Sequence, residues 1–205
     1  MGAEDTVLQP ETGQPEAQNA SASRFAVRII NAGTSLNKNV YPDAALRAAV
    51  PLFDGVRVFV KSDAEHLSGG GKDVRNLIGR IVEPKYAPPA AGRPAGINGV
   101  IEVIDPADPV ARGMAEAARR GMSDLFGLSI DAEAEGRRQG QTRVVTRFIK
   151  VRSVDVIVDP GAGGAVIGVT EAFGGVYMSH LSPLADRPPH RTVPSVQCFE
   201  RSSHP

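Results

Sequence analysis

Cysteine is almost missing from this sequence. Cys198, near the C-terminus, is the only one, so no internal disulfide can form, which suits a reducing cytoplasm. An excess of one charge is missing too: 23 basic and 23 acidic side chains cancel, whereas a dedicated nucleic-acid binder usually shows a basic surplus. No apolar run reaches the roughly 18 residues needed to cross a bilayer. The N-terminus lacks the basic region and apolar stretch of a secretion signal. These absences predict a soluble, intracellular protein that engages neither membrane nor nucleic acid. The central region offers one histidine and no cysteine, so neither a metal centre nor another cofactor is expected.

What is present suffices for one domain: 205 residues, 41% of them hydrophobic. Residues 1–23 are rich in Ala, Gln, Glu, Gly and Ser without periodicity and read as a flexible leader. Residues 179–205, dominated by Pro, Ser, His and Arg, read as a flexible tail holding His180, His190 and His204. The foldable segment is therefore 24–178, and its signals are mostly β. Phe25–Ile30 and Val56–Lys61 (VRVFVK) alternate cleanly, and Asn76–Glu83, Ile97–Ile104, Phe126–Ala132 and Thr142–Val158 also read as strands. Asn31–Asn39 reads as a loop, and so does the Gly-rich stretch Ser62–Lys72. Lys85–Gly96 reads as an exposed excursion and Glu135–Gln141 as a polar turn. One short helix is expected from Pro42 to Val50. A second runs from Pro109 to Met122, its start marked by Asp105 and Asp108. The expected class is α+β, mainly β: a closed or nearly closed β-barrel of about six or seven strands flanked by helices.

Three residues stand out for chemistry. His66 is the only histidine of the foldable segment, and imidazole is the usual general base near neutral pH. An exposed loop histidine is the ordinary reading of such a residue. A Gly-rich loop leaving an apolar strand, however, is where catalytic groups tend to be displayed. Ser129, within LFGLSIDA, is placed by strand alternation on the face opposite Leu128 and Ile130. A small hydroxyl there often does no more than satisfy a neighbouring backbone group. The GxSxG elbow of α/β-hydrolases is absent, since the segment reads Gly127-Leu128-Ser129-Ile130-Asp131. Asp155 interrupts the apolar run VRSVDVIVDP, and a carboxylate buried there needs a partner. That partner could be a histidine, as in serine-protease triads, or equally Arg147 or Arg152. Asp159, before Pro160, suits a turn. GGGKD at Gly69–Asp73 lacks the spacing of a phosphate-binding loop, and PGAGGA lacks the GxGxxG pattern.

Four segments in order carry a resemblance: SLNKNVYP with PLFDGVRVFV, the histidine stretch leading into RNLIGRIVE, LFGLSIDA, and IKVRSVDVIVDPGAGG. Over about residues 25–166 the chain resembles the prohead proteases of tailed bacteriophages, capsid-maturation enzymes related in fold to the herpesvirus assemblins. The resemblance implies a β-barrel with helices around it, Ser129 as nucleophile and His66 as base. It also implies an acid as third member, because no histidine lies between His66 and His180. Asp155 falls close to where the family places that residue, with Asp159 as the other candidate. Leu67 stands where many relatives have proline, and the glycines of GGGKD lengthen the loop. The viral relatives use an arginine to stabilise the oxyanion. Here the corresponding region is Gly161–Gly164, whose backbone N–H groups could substitute. The implied function is a serine endopeptidase, self-processing as well, whose substrates are phage scaffold and major capsid protein inside the immature prohead in the host cytoplasm. A homo-oligomer is compatible with this. The alternative is a non-catalytic head-assembly protein that keeps the barrel.

Overall fold

The computed structural model describes Ser21–Phe173. Within the leader expected over 1–23, residues 21–23 belong to the first strand. The rest of that leader and the tail expected over 179–205 lie outside the described residues.

Seven strands close a barrel: β1 (Ser21–Asn31), β4 (Arg57–Val60), β5 (Leu77–Ala87), β6 (Gly96–Val103), β7 (Gly127–Gln139), β8 (Thr142–Ile157) and β9 (Gly164–Phe173). Around the circumference they run β8, β4, β5, β6, β1, β9, β7, and β7 pairs again with β8 to complete the ring. Closure removes sheet edges that would otherwise template aggregation. Two short strands, β2 (Gly33–Thr34) and β3 (Asn39–Tyr41), form an antiparallel pair outside the ring. The long strand β8 therefore serves two parallel neighbours along one edge, β3 near Arg143 and β4 near Val154.

The interior is aliphatic. Phe25, Val27, Ile29, Ile81, Ile97, Ile101, Leu128 and Val154 pack as one cluster and are essentially inaccessible. Burial of this kind contributes about 25 cal/mol per Å² of apolar surface removed from water. Helix α1 (Asp43–Ala49) adds Leu46 to the cluster. Helix α3 (Pro109–Arg119) adds Ala111, Met114 and Ala115, the i, i+3, i+4 stripe of an amphipathic helix. Asp108 caps α3 as expected, accepting from the amides of Val110 (2.8 Å) and Ala111 (3.1 Å). Among the described residues no helix is long and apolar enough to cross a membrane.

Four local expectations are corrected. The stretch Ser62–Lys72 is not simply a loop, because Asp63–Ser68 forms a third helix, α2. Its cause is a capping box, in which Ser62 Oγ accepts from the Glu65 amide (3.3 Å) while the Glu65 carboxylate accepts from the Ser62 amide (3.0 Å). The polar stretch from Glu135 continues β7 to Gln139, leaving only Gly140–Gln141 as the turn. Cross-strand pairs of Glu133 with Arg152 and Glu135 with Arg147 make polar side chains compatible with a ribbon. The loop expected over Asn31–Asn39 holds β2 and the start of β3. The excursion expected over Lys85–Gly96 gives its first three residues to β5 and its last to β6.

Candidate active site

Alternation along the strands positions the site. Leu128, Val154, Val156 and Val58 point into the barrel core, so Ser129, Asp155 and Phe59 point to the other face. Ser129 and Asp155 are register partners on β7 and β8, which places their side chains next to each other. Over this face lies α2, carrying His66.

The His66 ring approaches from α2 and its Nδ1 lies 2.7 Å from Asp155 Oδ2. Asp155 is fully buried. Burial pushes its carboxyl pKa up, but the hydrogen bond to His66 and the neighbouring Lys61 and Ser153 side chains outweigh this, leaving it below the ordinary carboxylate value. An ionised carboxylate only accepts, so Nδ1 is the protonated ring nitrogen, and in the neutral ring Nε2 keeps its lone pair. His66 and Ser129 line the same cavity, of about 280 Å³. Its lining is mixed, with polar Ser35, Asn37 and Asn39 and apolar Val145 and Phe148. Leu67, the neighbour of His66, stands exposed at its rim.

The glycine segment after β8 forms another part of the wall. Gly161 and Ala162 line the cavity. Three successive carbonyls are tied down: Gly161 to the Leu36 amide (2.9 Å), Ala162 to the Asn31 amide (3.0 Å) and Gly163 to the Asn31 side chain (3.1 Å). The Gly161 and Ala162 amides donate to no backbone carbonyl among the described residues. Glycine is required at 163, where φ is +66° and a Cβ would fall 2.3 Å from Asn31 Nδ2. Gly127 is required for a different reason: a Cβ there would strike Pro160.

The structure thus brings together His66, Ser129 and Asp155. Arg147 and Arg152, weighed as partners of Asp155, pair instead with Glu135 and Glu133. Asp159 is exposed, and its amide donates to Asp63 (3.3 Å), as fits a turn residue. One member of the cluster went unnoticed in the sequence. Lys61, fully buried, sets its Nζ 2.8 Å from Asp155 Oδ2. The signal was there: a lysine continuing the inward and outward alternation of VRVFVK needs a counter-ion, as Asp155 does. Among the described residues no group of His, Cys, Asp and Glu side chains is arranged to hold a metal ion. A base oriented by a carboxylate, a hydroxyl in the same cavity and two undonated amides nearby could together support nucleophilic acyl transfer. No protein-family model, curated protein or solved structure matches this chain.

Proposed function

We propose that this chain is a serine endopeptidase that matures phage proheads, cleaving segments of scaffold and major capsid protein inside the immature shell and trimming itself. The observation that carries the reading is the His66–Asp155 contact of 2.7 Å behind a cavity that His66 shares with Ser129. Ser129 Oγ attacks the peptide carbonyl while His66 Nε2 takes its proton. Asp155 holds the ring in that tautomer and stabilises the imidazolium. The Gly161 and Ala162 amides receive the oxyanion. His66 then protonates the departing amine, and water attacks the acyl-enzyme by the same route to release the new carboxyl end.

A peptide substrate also has a place to lie. β9 pairs with β7 only at Gly127 and Leu128, so from Ser129 onward β7 has no second neighbouring strand among the described residues. An extended chain can hydrogen-bond along that edge and present its carbonyl to Ser129. The four ordered segments resembling prohead proteases supply the substrate class. Coexpression with the cognate scaffold and capsid proteins tests the reading. Wild type yields shortened shell proteins, and Ser129→Ala yields assembled shells of full-length ones. Full-length components with wild type would favour an assembly role without catalysis.

A further inference from the structure

Lys61 and the Gly-rich stretch after α2 have no part in the mechanism above, yet the structure ties both to it. Lys61 follows β4, and its amide donates to Val156 O (3.1 Å), continuing the pairing with β8. The next residue caps α2, so the backbone leads directly from Lys61 to His66. Both side chains return to one atom: Lys61 Nζ at 2.8 Å and His66 Nδ1 at 2.7 Å share Asp155 Oδ2. The lysine is sealed from solvent. Gly71, with φ +72°, folds over it so closely that a Cβ there would lie 3.3 Å from Lys61 Cδ and 3.2 Å from Glu65 Cβ. Gly71, the last of the three glycines, thus packs over the stem of the buried lysine.

We propose that Lys61 is a positioning residue of the site, a buried ammonium that balances the Asp155 charge and fixes its carboxylate toward His66. The proposal rests on the endopeptidase reading for its consequence but not for its test. A lone buried carboxylate beside the imidazole would favour the imidazolium strongly and hold back the base, and a cation on the same oxygen offsets that field. The other charged or titratable groups near Lys61 are Glu65, whose carboxylate is held by the Ser62 amide and hydroxyl, and His66 itself. Phe59 turns its ring toward the ammonium at 5.8 Å.

Lys61→Gln removes the charge and keeps a donor, while Lys61→Met keeps the stem alone. The test follows the His66 ring proton resonances by NMR against pH in the full chain, identified by their loss in His66→Gln. In either variant the ring should titrate about one pH unit or more higher than in wild type. If the protein cleaves substrate, the acid limb of its kcat/KM profile moves up with it. If it cleaves nothing, the NMR shift still stands and only the endopeptidase reading falls. Should Lys61→Met fail to fold, Lys61→Gln carries the same readout. An unchanged midpoint in a folded variant overturns the proposal, and a purely structural lysine would give that result.

Discussion

Burial of the Asp155 carboxyl opposes its ionisation, yet the hydrogen bond to His66 and the Lys61 ammonium prevail and hold it below its ordinary value. A group whose folded pKa is depressed contributes stability that is fully present above the unfolded value, about 3.9 for Asp. That contribution disappears as pH falls through the folded value. Asp155→Asn should therefore cost roughly 3–5 kcal/mol near neutrality, because it leaves Lys61 buried without its counter-ion. The gap between wild type and variant should close as pH drops below about 3.9. Urea unfolding across that range measures it, and a gap constant with pH would contradict the assignment of the charge. Asp159→Asn serves as the control. Its side chain is exposed at a turn, so both stability and cleavage should stay close to wild type.

At the scale of elements, α2 is six residues long and buries none of its own side chains, so its capping box carries unusual weight. Ser62→Ala removes the hydroxyl that accepts from Glu65 and should cost about 1 kcal/mol in thermal unfolding. Its effect on cleavage should be larger, tenfold or more in kcat, because a frayed α2 misplaces His66 while the substrate edge on β7 is untouched. A drop in kcat no greater than the stability loss implies would show that α2 does not position the base. The Ser-x-x-Glu pattern at Ser62–Glu65 was legible in the sequence, but the glycines that follow it drew the reading toward a loop. The far end of β7, Glu135–Gln139, was missed for a related reason: it is polar and charged, and only pairing with β8 reveals that the charges match. Apolar alternation was a better guide. Phe25–Ile30, Val56–Lys61 and Ile97–Ile104 all lie in strands, the last two close to their expected limits and the first inside a longer strand from Ser21, since one buried face fixes both period and register.

At the scale of the whole molecule, the sequence pattern implied the class correctly: a closed barrel of seven strands with helices against it. Of the residues it singled out, Asp155 contacts His66 and is the register partner of Ser129, an arrangement that could be told from pairing with the arginines only in three dimensions. Within the ring β4 pairs with β8 and β1 with β9, strands far apart in the sequence. The site therefore depends on contacts across most of the sequence, and local stability and site geometry should be lost together. The described residues form one contiguous core, so removing residues 1–20 and 179–205 should leave the thermal transition cooperative and within a few degrees of wild type. A broad transition in the shortened protein would place part of the core outside these limits. The central claim is that His66, oriented by Asp155, activates Ser129. It is tested most directly by treating the purified protein with a fluorophosphonate, in which the serine oxygen forms a bond to phosphorus and fluoride leaves. The account predicts one adduct, mapped to Ser129 by mass spectrometry, that slows at least a hundredfold in His66→Ala. An adduct on another serine, or equal labelling without His66, would contradict it.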